Sequence, residues 1–165
     1  MKIHNLDISW WRIDFSKKEI NHIANSIKHQ HISQGPVTFE FEQQIGKILN
    51  VPYVIATNSG SAALLMSLIS IGIKPGDEVI IPNRAWISVA HAPLLLGAKV
   101  VMVDVEINRP TMNVNDIVKN ITPRTKAIIP VHLNGRSVNM EKINNIAKKN
   151  NIVVIEDAAQ AFCSR

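Results

Sequence analysis

The stretch Lys74-Pro75-Gly76-Asp77-Glu78-Val79-Ile80-Ile81 joins a turn to an apolar run that is typical of a buried strand. Similar apolar runs follow at residues 99–103, 127–131 and 152–155, and helical patterns separate them. Strands that are apolar throughout are typical of sheets covered on both faces, and alternation with helices favours parallel pairing. The sequence therefore predicts an α/β fold of three layers, with a mainly parallel sheet between helices.

The region before this sheet is predicted to be largely helical. Ser16 and Glu19 have the capping-box spacing, and isoleucines recur after them at helical intervals. Residues 53–56 form the first strand candidate. We expect a single domain or part of one, with a helical segment over residues 1–50 and an α/β core over residues 51–165.

Composition excludes several classes of protein. The 165 residues are 46% hydrophobic and 19% charged, which suits a buried core and not a disordered chain. One cysteine excludes a disulfide framework and favours a reducing, cytoplasmic setting. The net charge of +5 is dispersed, which favours a solvated surface over nucleic-acid binding. We predict no signal sequence at Met1 and no membrane partner, because the apolar stretch 62–73 is too short to span a bilayer.

Ligands bind at the carboxyl ends of strands in open parallel sheets, so the segments that follow each strand are the candidate sites. The first is Thr57-Asn58-Ser59-Gly60-Ser61-Ala62-Ala63-Leu64, whose small residues and free helix-start amides favour an anion such as phosphate. A plain turn with a serine cap explains the same residues. After the next strand, Trp86 is suited either to stack on a planar ring or to pack in the core.

Two later strands also deliver polar residues. His132 follows the third apolar run and is either a ligand contact or a structural residue. Glu156-Asp157-Ala158-Ala159-Gln160 follows the last run, and an acid placed there needs a cationic partner unless it caps a helix. A protonated pyridine nitrogen is one such partner.

In this order, the segments resemble those of the DegT family of pyridoxal-phosphate-dependent nucleotide-sugar aminotransferases. The resemblance covers nearly the whole chain and includes residues 33–36, 57–64, 72–82, 97–98, 103–104, 121–132 and 156–160. It implies six cofactor-binding residues: Gly60, Ser61, Ala62, Trp86, Asp157 and Gln160. The first three would cradle the phosphate and the tryptophan would stack on the pyridine ring. The aspartate would pair with the ring nitrogen, and the glutamine would hydrogen-bond the phenolic oxygen.

The resemblance also implies the large domain of a fold-type I pyridoxal-phosphate enzyme, here incomplete. The expected reaction moves an amino group from glutamate to a nucleotide-linked keto-sugar, for surface-polysaccharide or deoxysugar biosynthesis. Homodimers that share residues between their sites are expected, with the loop around Gln34-Gly35-Pro36 near the entrance.

The sequence departs from the family pattern in several places. The Schiff-base lysine and the small C-terminal domain are expected beyond Arg165, so we expect these 165 residues alone to be inactive. Arg84, Ala85 and Asn134 replace residues that are usual in the family and are expected to alter substrate fit. Two alternatives stay open: a sugar dehydratase that carries histidine instead of the lysine, and a non-catalytic remnant that binds a partner. A dinucleotide-binding oxidoreductase is excluded, because its Gly-x-Gly-x-x-Gly turn is missing.

Overall fold

The computed structural model describes residues 13–164, and the chain divides into two compact units, Met1–Ala56 and Thr57–Arg165. The expected absence of a signal sequence at Met1 concerns residues outside the described range.

The first unit contains two helices, α1 (Lys17–Lys28) and α2 (Pro36–Leu49). The predicted capping box is confirmed, because the Ser16 hydroxyl accepts the Lys18 N–H at 3.1 Å and Glu19 accepts the Ser16 N–H at 2.7 Å. The sequence places the start of α2 at about Thr38, but the helix begins two residues earlier. Proline is suited to that first position, since its φ is already helical and its missing N–H has no helical partner.

The strand expected at residues 53–56 is wrong, since this segment forms no strand. The Ala56 N–H donates to the Glu42 side chain at 2.8 Å, and not to a neighbouring strand. Tyr53 and Ile55 are largely exposed. Local β-propensity alone does not make a strand, because a ladder needs a second chain segment with which to pair.

The second unit alternates helices with strands. Its elements are α3 (Gly60–Ser70), β1 (Glu78–Pro82), α4 (Ser88–Leu95), β2 (Lys99–Val103), α5 (Val114–Asn120), β3 (Thr125–Ile128), a 3₁₀ turn (Leu133–Gly135), α6 (Met140–Asn150) and β4 (Val153–Val154). The four strands lie in the order β2-β1-β3-β4, and every neighbouring pair is parallel.

Alternate side chains of the central strand β1 pack into two different apolar clusters, one on each face of the sheet. Val79 and Ile81 pack in a cluster with residues of α3 and α4, whereas Ile80 packs with residues of α5 and α6. All five residues of β1 are buried, as expected of a parallel strand with helices on both faces. The predicted three-layer α/β architecture is therefore confirmed for this unit.

The most apolar segment forms α3, and Leu64 and Leu68 are buried on one side of it. The helix has 11 residues, fewer than the roughly 20 that a bilayer requires. Within residues 13–164, every helix falls short of the length and apolar character that membrane crossing demands.

Helix α4 ends against the turn that precedes β1. Trp86 lies two residues before α4, which begins at Ser88. Pro93 lies inside the helix and is fully buried, and its carbonyl accepts N–H groups from Leu96 and Ala98 at 3.1 Å each. Gly97 follows with a left-handed φ of 74°, and a Cβ there would lie 2.8 Å from Cγ of Pro75.

A buried carboxylate ties the amino ends of three strands together. Glu78 is 1% exposed and accepts hydrogen bonds from the Thr122 hydroxyl at 2.5 Å and the Arg124 guanidinium at 2.8 Å. The Lys99 ammonium lies 3.5 Å from the same carboxylate. These contacts, led by the Thr122 and Arg124 hydrogen bonds, lower the pKa of Glu78 from 4.5 to about 2. The network lies at the edge opposite to the carboxyl ends of the strands and stabilises the sheet.

Candidate functional site

A cavity of about 580 Å³ opens at the carboxyl ends of the strands and lies wholly within the second unit. Its wall brings together five of the six residues expected to bind a cofactor: Gly60, Ser61, Trp86, Asp157 and Gln160. Ala62 is the sixth and does not line the cavity. Segments more than 90 residues apart in the sequence therefore meet at one place, as the topology of an open parallel sheet predicts.

The start of α3 offers unpaired backbone donors to this cavity. The Ser59 hydroxyl caps the helix by accepting the Ala62 N–H at 3.2 Å, and the Ser59 carbonyl accepts the Ala63 N–H at 3.0 Å. The amides of Gly60 and Ser61 have no hydrogen-bond partner among the described residues. Gly60 and Ser61 both line the cavity, and a Cβ at Gly60 would meet no atom within 4 Å, so this end of the helix lies beside open space. Free amides at the positive end of a helix favour an anion.

Trp86 contributes a flat apolar surface. Its side chain is 73% exposed, and it lines the cavity just before α4 begins. The Trp86 carbonyl accepts the Val89 N–H at 3.1 Å, which fixes the backbone at this turn. A large exposed aromatic side chain beside a cavity is suited to stack on a planar ligand.

Asp157 is held by its backbone, and its carboxylate keeps one oxygen free. Its N–H donates to the Pro130 carbonyl at 2.9 Å, and its carbonyl accepts the His132 N–H at 3.0 Å. One carboxylate oxygen accepts the Ala159 N–H at 3.1 Å. The other oxygen has no partner within residues 13–164, so it is available to a cationic N–H group in the cavity.

Gln160 is oriented by a backbone group from a different loop. Its Oε1 accepts the Asn134 N–H at 2.7 Å, which leaves the Nε2 donors unpaired within the described chain. Asn134 has a left-handed φ of 57°, a conformation that asparagine adopts more readily than most residues. Asparagine therefore suits this backbone position.

His132 has a structural role. It is 4% exposed, its Nδ1 accepts the Val138 N–H at 3.1 Å, and its Nε2 lies 2.8 Å from Glu156. Because Nδ1 accepts, the proton lies on Nε2 and is donated to the Glu156 carboxylate. Both ring nitrogens are used within the protein, and the ring does not line the cavity. The structural alternative for His132 is therefore confirmed.

Comparison with known proteins agrees with this geometry. The sequence model of the DegT/DnrJ/EryC1/StrS aminotransferase family matches residues 14–165. The chain belongs to this family. The family resemblance predicted from the ordered segments is therefore confirmed.

Solved structures of DegT-family aminotransferases share the fold. A DegT/DnrJ/EryC1/StrS aminotransferase from Brucella abortus is 34% identical, with a TM-score of 0.80. The match covers 88% of this chain and 41% of the Brucella chain. NtdA from Bacillus subtilis, with bound cofactor PMP, is 32% identical, with a TM-score of 0.82. The match covers 93% of this chain and 38% of NtdA. The PLP-form of a candidate sugar aminotransferase from Streptococcus pneumoniae is 27% identical, with a TM-score of 0.84. The match covers 88% of this chain and 41% of the Streptococcus chain. The chain thus spans about 40% of the length of the proteins that it matches.

Ser88 and the backbone of Asn134 also shape the site of this family member, and the sequence did not predict either role. Ser88 is buried and lines the cavity from the first residue of α4, two residues after Trp86. The backbone N–H of Asn134 orients Gln160, and a contact from a backbone group does not depend on the side chain at that position. The proximity of Ser88 to Trp86 in the sequence was a usable signal, whereas the Asn134 contact depends on how two loops meet.

Proposed function

We propose that this chain binds pyridoxal phosphate in an enzyme that transfers an amino group from glutamate to a nucleotide-linked keto-sugar. Surface-polysaccharide or deoxysugar biosynthesis is the setting that suits this reaction. One observation carries the proposal: a single cavity gathers free helix-start amides, an exposed tryptophan, a half-free carboxylate and unpaired amide donors. The family match and the PLP and PMP forms of two similar structures support the same cofactor.

The residues present fit this cofactor group by group. The amides of Gly60 and Ser61 would receive the phosphate in open space, and the Ser61 hydroxyl adds a further donor. Ala62 was assigned to the same cradle, but its N–H donates to the Ser59 hydroxyl. Ala62 therefore contributes a small side chain at the helix start and not a free donor.

The ring of the cofactor would lie against Trp86, between the phosphate cradle and the last loop. The free oxygen of Asp157 would hold a proton on the ring nitrogen, because an ionised carboxylate favours the charged form of a neighbouring base. The Nε2 group of Gln160 would donate to the phenolic oxygen. When bound, the cofactor supplies an electron sink for chemistry at the carbon that carries the amino group.

A covalent link to the protein is not expected from these residues. Among the described residues, none that lines the cavity is a lysine. We therefore propose that residues 1–165 alone hold the cofactor without a covalent bond and do not complete amino transfer. Borohydride reduction tests this point, because it fixes only a cofactor that is joined to the protein by a reducible C=N bond.

Two measurements test the proposed function. Titration of the protein with pyridoxal phosphate, followed by tryptophan fluorescence, should show saturable binding at about one equivalent per chain. An enzyme that contains this chain should then form 2-oxoglutarate from glutamate when a nucleotide-linked keto-sugar is present. A lack of saturable binding would refute the cofactor assignment. Loss of a sugar hydroxyl without consumption of glutamate would point to the dehydratase alternative.

A further inference from the structure

A second hollow, of about 510 Å³, opens at the same carboxyl edge of the sheet. We call it the arginine hollow, because Arg84, Arg109 and Arg136 line it. Arg84 follows β1, Arg109 lies in the loop after β2, and Arg136 follows the 3₁₀ turn after β3. Three separate loops thus each contribute one arginine to the lining of the same hollow.

These guanidinium groups have no partner within the described chain. None of the three forms an ion pair or a side-chain hydrogen bond with any residue in the range 13–164. Arg124 shows the contrast, since its guanidinium is bound to the Glu78 carboxylate at 2.8 Å. Three arginines without a carboxylate partner outnumber the two carboxylates of this hollow, so its lining has an excess of positive charge that suits a multiply charged anion.

Two carboxylates also line the hollow, and one of them is partly bound. The Oδ1 atom of Asp104 accepts the Asn83 side-chain amide at 2.9 Å and the Val105 N–H at 2.8 Å, whereas its Oδ2 atom has no partner within residues 13–164. Glu106 has no side-chain partner within residues 13–164 and is free to accept a hydroxyl group. The hollow therefore offers donors for phosphate oxygens together with an acceptor for a sugar hydroxyl.

The arginine hollow adjoins the cofactor cavity through one hydrogen bond. Asn134 lines the hollow, and its N–H donates to Gln160, which lines the cofactor cavity. The two openings are therefore neighbours at the carboxyl edge of the sheet, and a ligand in the cofactor cavity would have the arginine hollow beside it.

We infer that the arginine hollow binds the diphosphate of the nucleotide-linked substrate, an inference that rests on the proposed function. A diphosphate presents several anionic oxygens on two neighbouring groups, and planar guanidinium groups bind such oxygens in pairs. A single carboxylate, such as that of the amino donor, needs only one of the three arginines. Arg84, which departs from the family pattern, here becomes a residue that determines substrate binding.

Calorimetric titration with inorganic pyrophosphate tests the inference, with the protein first saturated with pyridoxal phosphate so that the phosphate cradle is filled. Arg84→Gln and Arg136→Gln should each weaken pyrophosphate binding about tenfold, the loss expected for one charge-assisted hydrogen bond. Lys148→Gln removes the same charge from an exposed site on α6 and should leave the affinity unchanged. A second series with L-glutamate should show no difference between the arginine variants and the unmodified protein.

Several outcomes would overturn the inference. These are no pyrophosphate binding by the unmodified protein, equal affinity in the arginine variants, or a loss confined to L-glutamate. Arg84→Lys keeps the charge without the planar fork and should bind with intermediate affinity, so it supplies the test if a glutamine variant fails to fold. The cofactor titration is read separately. Failure to bind pyridoxal phosphate refutes the proposed function, whereas cofactor binding without pyrophosphate binding refutes the arginine hollow alone.

Discussion

The Oε1 atom of Gln160 accepts the backbone N–H of Asn134 at 2.7 Å, across a separation of 26 residues. This bond joins the loop after β4 to the 3₁₀ turn after β3 and fixes which end of the glutamine amide faces the cofactor cavity. It also joins the walls of the cofactor cavity and the arginine hollow. The orientation of one side chain therefore depends on a backbone group that substitutions at residue 134 do not remove, unless they move the backbone.

Gln160→Glu separates the two roles of this side chain. Glutamate keeps an oxygen that accepts the Asn134 N–H but loses the Nε2 donors. We expect the folding stability to change by less than about 1 kcal/mol, since the hydrogen bond to the backbone survives. Affinity for pyridoxal phosphate should fall about tenfold or more, because a carboxylate would face the phenolic oxygen. Urea unfolding and a cofactor titration measure the two effects. Equal affinity in both proteins would contradict the role given to Nε2.

Asp157→Asn tests the carboxylate at the ring nitrogen. Asparagine can still accept the Ala159 N–H, so the fold should be retained. The pKa of the ring nitrogen of the bound cofactor should fall by about 1–3 units, because the neighbouring negative charge is removed. A pH titration of the absorbance of the bound cofactor measures this shift.

Asp116→Asn is a matched control for this variant. Asp116 lies on α5 and accepts the Asp104 N–H at 2.9 Å, and it does not line the cofactor cavity. This substitution should leave the titration of the cofactor unchanged. An equal shift in both variants would mean that general surface charge, and not contact with Asp157, sets the protonation of the ring.

Short-range patterns in the sequence were sufficient to predict the layers of the second unit. The apolar run at residues 99–103 is β2 without change, and residues 78–81 lie within β1. Asn113 and Asn115 are both suited by residue type to cap α5, and the structure selects Asn113, whose side chain accepts the Asn115 N–H at 3.0 Å. These features depend on residues that are close in sequence, so their patterns carry the information.

Features that need a distant partner were not predictable in the same way. Residues 53–56 have strand-like composition but lack a paired neighbour among the described residues. The isoleucines of α1 recur at helical spacing, yet Ile20, Ile23 and Ile27 are each about 60% exposed. Periodicity specifies a face of a helix and does not specify what covers it. The unpaired guanidinium groups of the arginine hollow also became visible only when three loops were placed together.

Gly97→Ala should destabilise the second unit through two separate costs. The φ of 74° disfavours any residue with a Cβ, and the new methyl group would lie 2.8 Å from Cγ of Pro75. We expect a loss of about 2–4 kcal/mol in the free energy of unfolding. Gly72→Ala is the matched control, because its φ is 75° but no atom lies within 4 Å of the added carbon. The control should lose only about 1–2 kcal/mol in urea unfolding, and equal losses would mean that the Pro75 contact contributes nothing.

Glu78→Gln should reveal how ionisation of Glu78 makes the folding stability depend on pH. The folded pKa of Glu78 is about 2, below its ordinary value of 4.5, so the folded protein favours the ionised carboxylate. The stabilisation is therefore fully present above about pH 4.5 and is lost as the pH falls through about 2. At pH 7 we expect the variant to be less stable by about 1–3 kcal/mol, a range reduced because the Arg124 and Lys99 side chains are largely exposed.

The difference in stability between the unmodified protein and Glu78→Gln should shrink when urea unfolding is repeated at successively lower pH between 4.5 and 2. Thr122→Val should act in the same direction, because it removes the hydroxyl whose hydrogen bond contributes most to lowering the pKa of Glu78. Glu141→Gln changes an exposed carboxylate in the first turn of α6 and should leave the dependence of stability on pH close to that of the unmodified protein. A difference for Glu78→Gln that stays constant over this range would show that the loss comes from packing. The ionisation of the buried carboxylate would then contribute nothing to holding the amino ends of β1, β2 and β3 together.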